Sequence, residues 1–162
     1  MERPIKYEIH KTKGAFQFKV APAYSLKDKE TGEYRPKGCV FVEAAPSTGE
    51  RQYGFKEGKK VVIALGIDDI SEILVGFKIG TFNITHDPNI QNNNRGLRVK
   101  RLSLWKGKQT DNNGLPTYFI KLEQLEKGNS EALNVMIPLT CQEIKVLSIL
   151  LESSIPRILG WN

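Results

Sequence analysis

The chain switches its hydrophobic period twice, in the same order both times. Alternating or β-branched runs come first, and a stretch of helical spacing closes each half. Residues 15–21 (AFQFKVA) set Phe16, Phe18 and Val20 on one face, with Gln17 and Lys19 on the other. Residues 39–44 (CVFVEA) and 60–65 (KVVIAL) read as further strands, and 51–55 (RQYGF) as a shorter one. Turn-rich segments at 27–32 (KDKETG) and 46–49 (PSTG) separate them. Ile67, Ile70, Ile73, Leu74 and Phe77 then recur at helical spacing, with Asp68 and Asp69 suited to a helix N-terminus. A two-residue period lines one face of a strand but scatters around a helix, so each half must place strands before its helix.

The second half repeats the plan. Residues 81–86, 97–105, 117–125 and 132–139 read as strands, 92–96 as a loop, and Asp111-Asn112-Asn113-Gly114 as a turn. Thr140 with Glu143 three residues on has the capping-box pattern, which predicts a helix running to about Ser153–Pro156. The fold class is therefore α+β, four strands and a helix twice over. Residue identity between the halves is slight, so the repeat is architectural.

The last helix is apolar almost all round. Ile144, Leu147, Leu151 and Ile155 form one face at about 100° per residue, and Val146, Ile149 and Leu150 lie nearly opposite. A surface helix needs one apolar stripe, and this one carries two. Either its own subunit's sheets enclose it, or a second face is buried against another subunit. In a chain of 162 residues the second reading is favoured. Ile144, Val146, Leu147, Ile149, Leu150 and Leu151 are thus the candidate interface of a homo-oligomer.

Charge divides the chain in another way. The formal net charge is +6, and residues 1–60 hold most of the surplus. Residues 131–162 carry only Lys145 and Arg157 against Glu131, Glu143 and Glu152. A basic first part fits a polyanionic partner, although moderate basicity also serves solubility alone. No apolar run approaches the roughly 20 residues of a bilayer span. Met1-Glu2-Arg3-Pro4 resembles neither a secretory nor a transit signal, and Cys39 and Cys141 stand far apart, so a reducing intracellular setting is expected.

The constellations that catalysis needs are missing. His10 and His86 have no metal-ligand spacing to Cys, Asp or Glu beyond Asp87, which fits a strand end running into a turn. Residues 106–110 (KGKQT) fail as a phosphate loop, because Gln109 takes the Ser/Thr place and no glycine stands five residues upstream. The sequence predicts neither an enzyme nor a cofactor or metal. What it does hold is cations interleaved with rings. Lys11 and Lys13 precede Phe16 and Phe18; Arg51, Tyr53, Phe55, Lys56, Lys59 and Lys60 fall together; Arg98, Lys100 and Arg101 share a strand with Trp105. An unpaired polynucleotide offers regularly spaced phosphates and exposed base faces, which such a surface matches. Phe16 and Phe18 fit an apolar core equally well.

Several segments resemble one family. Residues 40–55 (VFVEAAPSTGERQYGF) resemble the F-x-F-A-P-S-x-G-x-R-Q-Y-D-W stretch of the Whirly proteins. His86-Asp87-Pro88 is similar to their H-D-P, and residues 96–100 (GLRVK) to G-x-V-x-K with a slight offset. Pro138, Leu139 and Thr140, followed by Glu143, Val146 and Leu147, resemble P-I-T-x-A-E-F-x-V-L, and residues 155–161 (IPRILGW) resemble L-P-Y-L-I-G-W. The matches are collinear from about Lys11 to the C-terminus. The family's K-G-K-A-A-L falls on residues 11–16 (KTKGAF), where both lysines are kept and Thr12, Gly14 and Phe16 differ. In the R-Q-Y-D-W match Gly54 replaces Asp and Phe55 replaces Trp, so a ring persists.

The resemblance implies two antiparallel four-stranded β-sheets packed together, with two helices that join four subunits into a whirligig-type tetramer. It implies one nucleic-acid-binding domain over residues 1–162. The expected activity is single-stranded DNA binding with little sequence preference, in protection, repair, recombination or transcription. RNA binding or annealing is the alternative, since stacking alone does not read the ribose 2′-OH; a scaffold with an incidental basic face is a third reading. Lys11, Lys13, Lys59, Lys100 and Arg101 are expected to meet phosphates. Phe16, Phe18, Tyr53, Phe55 and Trp105 are expected to stack on bases or line apolar pockets. Bacterial or viral-host cytoplasm, or an organelle matrix after processing, are the expected locations.

Overall fold

The computed structural model describes residues 5–27, 31–32, 34–56, 59–87, 99–125 and 133–161. The elements run β1 (Lys6–His10), β2 (Gly14–Lys27), β3 (Tyr34–Gly49), β4 (Gln52–Tyr53), β5 (Val61–Leu65), α1 (Ile67–Ile79), β6 (Phe82–His86), β7 (Val99–Thr110), β8 (Pro116–Leu125), β9 (Leu133–Leu139) and α2 (Cys141–Leu159). One antiparallel sheet follows the order β1-β2-β3-β4, with β5 also on β3; the other follows β6-β7-β8-β9. Each half thus supplies four strands of five residues or more and a closing helix, and the first half adds the two-residue β4. The expected residues 92–97, Arg98, Pro88 and Ala132 lie outside the described residues.

Apolar alternation on both sheets feeds one core. Phe16, Phe18, Val40, Val42, Ile63 and Leu65 from the first sheet join Leu102, Leu104, Ile120, Leu122, Ile137 and Leu139 from the second. The helices add Ile70 and Ile73 from α1 and Ile144, Leu147, Leu151 and Ile158 from α2. Close approach of the sheets requires a glycine at the start of β2. A Cβ on Gly14 would stand 2.6 Å from Val135 Cγ1 and 2.9 Å from the Ala45 carbonyl oxygen. That accounts for Gly14 at a place where the family motif has another residue.

Both helix starts follow their predicted chemistry. Asp69 reaches back to accept the Gly66 N–H at 3.1 Å and also meets His86 Nε2 at 2.9 Å. Thr140 Oγ1 accepts the Glu143 N–H at 3.1 Å while Glu143 Oε1 accepts the Thr140 N–H at 3.0 Å, a completed capping box. The end of α2 corrects the expectation. The helix passes through Pro156 to Leu159 and closes on Gly160, a left-handed residue at φ 69°. Pro156 lies on the exposed side of the helix, and burial of Ile158 carries the helix one turn further.

Strand β1 (KYEIH) has no counterpart in the expectations. It carries only Tyr7 and Ile9 as apolar residues among three polar ones, too brief an alternation to separate from a loop. Its pairing with β2, from Lys6↔Lys19 to His10↔Ala15, makes it an edge strand.

Candidate nucleic-acid interface

Three segments distant in sequence converge on one cleft. The last residue of β1 and the turn that follows contribute His10, Lys11, Thr12 and Lys13. The hairpin from β3 to β4 contributes Ser47, Gly49, Glu50, Arg51 and Tyr53. The second sheet contributes Phe119, Met136 and Pro138. The cleft measures about 840 Å3. A second hollow of about 450 Å3, reaching Gln17, Gln52, Phe55 and Lys56, shares His10, Arg51 and Tyr53 with it as a common wall.

Hydrogen bonds explain why the turn and the hairpin meet. The Ser47 N–H donates to the Lys13 carbonyl at 3.1 Å, and the Tyr53 hydroxyl donates to the Lys11 carbonyl at 3.0 Å. Tyr53 also stacks on His10, with ring centroids 5.1 Å apart and planes at 28°. Arg51 closes the hairpin at φ 56°, a left-handed conformation that costs an L-residue roughly 1–2 kcal/mol and that glycine would adopt freely. Arg51 lines both hollows.

The second sheet meets the cleft with rings on its outward face. Trp105, Phe119 and Pro138 are register partners across β7, β8 and β9, so they form one row on one face. Trp105 stacks on Phe119 at 5.9 Å and 26° and is 37% exposed. Gly107 gives Phe119 its place: a Cβ there would lie 2.9 Å from the ring's Cε2 and 3.0 Å from the Thr117 carbonyl.

The structure sorts the predicted binding residues. Lys11, Lys13 and Tyr53 line the cleft, and Phe55 lines the second hollow. Trp105 stands beside the cleft through Phe119. Phe16 and Phe18 are corrected. They are 0% and 1% exposed, because their parity on β2 turns both rings into the core; Phe16 borders the second hollow but offers no exposed face for stacking. Lys100 and Arg101 are also corrected as a pair, since adjacent strand residues point to opposite faces. Lys100 has the core parity, paired in register with His86 and with Gln124, itself 4% exposed. Arg101 lies outward with Trp105, but Glu123 holds it at 3.3 Å and also takes Lys121 at 3.0 Å. Lys59 is exposed at the end of the loop after β4, whereas Lys56 reaches the hollow.

His10, Phe119, Met136 and Pro138 were missed by sequence reasoning. One signal was available for Phe119: residues 118–120 (YFI) are apolar without alternation, so one of the three must face away from the core.

The proposed interface residues divide as well. Ile144, Leu147, Leu150 and Leu151 are buried within the subunit, since that side of α2 faces its own core. Val146 and Ile149 stay 43% and 55% exposed, and on α1 Val75 and Ile79 are exposed too. Among the described residues no helix is long and apolar enough to cross a membrane, and no group of three or more His, Cys, Asp or Glu could hold a metal ion.

A family model described as Whirly transcription factor matches residues 9–150. The chain is 28% identical over 159 residues to the chloroplastic single-stranded DNA-binding protein WHY1 of Solanum tuberosum, covering 98% of this chain and 56% of that protein. It is 25% identical over 172 residues to the chloroplastic protein of the same name from Arabidopsis thaliana, covering 98% and 58%. The chain therefore spans a little over half the length of these curated relatives. Among solved structures, that of the plant transcriptional regulator PBF-2 superposes with a TM-score of 0.77 at 26% identity, covering 99% of this chain and 85% of that one. WHY1 from Arabidopsis thaliana shares the fold with a TM-score of 0.78 at 24% identity, over 99% and 88%.

Proposed function

This chain belongs to the Whirly family, and on that premise we propose that it binds single-stranded DNA with little sequence preference through the cleft and its neighbouring hollow. The observation that carries this reading is the convergence itself: the lysine-bearing turn, the arginine-bearing hairpin and an outward row of rings border one concave surface. Phosphates would meet Lys13, Arg51 and Lys56. Bases would meet Tyr53, Phe55, Trp105 and Phe119, where each stacked base contributes roughly 1–3 kcal/mol. A duplex hides its base faces in its own stack, so an unpaired strand is the preferred ligand. The role that follows is to hold DNA opened during repair, recombination or transcription, inside a DNA-containing compartment.

The reading extends to assembly. Val146 and Ile149 on α2, with Val75 and Ile79 on α1, would be covered by further copies of the chain in a homotetramer. Titration of a fluorescent oligothymidine tests the binding reading. The affinity is expected to fall with salt by about 0.7 log units per log salt for each phosphate neutralised. Salt-independent binding, or equal competition by a duplex of the same length, would overturn it.

A further inference from the structure

Lys11 is the residue most readily assigned to a phosphate, yet its ammonium is already engaged. It stands 2.8 Å from Glu143 Oε1 on the first turn of α2, 132 residues away in sequence. Both side chains are only partly exposed, 25% and 20%, so solvent screens the pair less than it would a surface pair. The same oxygen accepts the Thr140 N–H. The capping box is complete without Lys11, so the helix end alone does not explain the ion pair.

The main chain of Lys11 is held just as firmly. Its N–H donates to the Gly14 carbonyl at 2.9 Å, and its carbonyl accepts the Tyr53 hydroxyl. Tyr53 in turn stacks on His10. A continuous line of contacts therefore runs from the start of α2 through Lys11 to the wall shared by both hollows.

We propose that Glu143 is a positioning residue for the nucleic-acid cleft: through its ion pair with Lys11 it fixes the turn after β1 and the Tyr53–His10 wall, and Lys11 serves as a strut rather than as a phosphate contact. The proposal rests on the single-strand reading above. An ammonium already neutralised by a carboxylate displaces few counterions when a phosphate approaches, so Lys11 contributes little to salt dependence. Lys13, exposed two residues on, contributes that term instead.

The two roles give opposite signs in one experiment. If Lys11 met a phosphate, Glu143 would compete with the ligand, and removing its charge would tighten binding. Under the strut, Glu143→Gln loosens the wall and weakens binding, while glutamine still completes the capping box. Oligothymidine affinity is measured against salt for the wild type, Lys11→Gln, Glu143→Gln, the double variant and Lys13→Gln. Lys11→Gln and Glu143→Gln are expected to weaken binding by roughly two- to tenfold with an unchanged salt slope, and the double variant no further, because the two act as one unit. Lys13→Gln is expected to flatten the slope by about 0.7. Tighter binding by Glu143→Gln, or a slope flattened by Lys11→Gln, overturns the strut.

A ligand-free readout separates this inference from the reading beneath it. The His10 ring protons report its stacking on Tyr53 by NMR, and only His86 shares that spectral region as a second histidine. Glu143→Gln is expected to shift the His10 signal towards that of an unstacked ring, with Lys13→Gln leaving it in place. An unmoved His10 signal in Glu143→Gln overturns the strut. If the wild type fails to bind any strand while that signal moves, the single-strand reading falls and the strut stands.

Discussion

Two ring pairs in this molecule share a geometry and differ in their surroundings. Phe16 and Phe18 lie 6.4 Å apart with planes at 25°; Trp105 and Phe119 lie 5.9 Å apart at 26°. The first pair is buried in the core, and the second lies on the outward face of its sheet. Neither residue type nor ring geometry separates them. Strand parity does: Phe16 and Phe18 keep step with the apolar side of β2, whereas Trp105 is out of step with Leu102 and Leu104 on β7. Within a core-building strand, a ring is available to a ligand when it falls on the parity opposite to the core.

Substitutions can test that contrast directly. Phe16→Ala should cost about 3–5 kcal/mol of stability by opening a cavity in packed surroundings, read by denaturant unfolding. A loss below about 1 kcal/mol would mean the ring is not core. The helix α2 repeats the contrast on its two sides. Leu147→Ala should destabilise by about 2–5 kcal/mol, while Ile149→Glu should leave the subunit folded and lower the light-scattering mass if the outward face joins copies. A folded variant of unchanged mass removes Ile149 from the interface.

On the outward pair the effect should move from stability to binding. Trp105→Ala is expected to lose about 1–3 kcal/mol of oligothymidine affinity, with unfolding changed by less than the Phe16 variant. A variant that binds normally would return Trp105 to the role of surface cover. The smallest effect lies on β1, where burial and then the nearby Glu143 carboxylate raise the Tyr7 hydroxyl above its ordinary 10.0. A raised pKa keeps the folded hydroxyl protonated after the unfolded one has ionised. Its contribution is therefore full below about pH 10 and is lost as pH rises through the folded value. Tyr7→Phe should flatten the alkaline decline of stability in melts above pH 10; an unchanged decline would place the titrating group elsewhere.

Strand parity also decided what could be read from the residues alone. The Thr140 and Glu143 cap, the Asp111–Gly114 turn and the α1 stripe were legible because each is decided within a few residues. The side of a strand that faces the core is decided by the other sheet, so Phe16 and Phe18 resembled ligand rings until the layers were assembled. Lys11 reads as a free cation because Glu143 lies in the other half of the chain. Met136 and Pro138 gave no sign of joining the cleft, since their partners on the turn and the hairpin are remote in sequence. Arg51, Tyr53 and Phe55 stand out as a group in the sequence because one short segment holds all three.

The wall of His10, Arg51 and Tyr53 belongs to both hollows at once, and this has a kinetic corollary. If a strand binds as proposed, one long enough to cross it would be tethered at two places, so release of one end would leave the other attached and recapture would compete with escape. Fragments confined to one side lack that avidity. Residence time should then climb in a step once ligand length exceeds the crossing, rather than in proportion to the number of nucleotides.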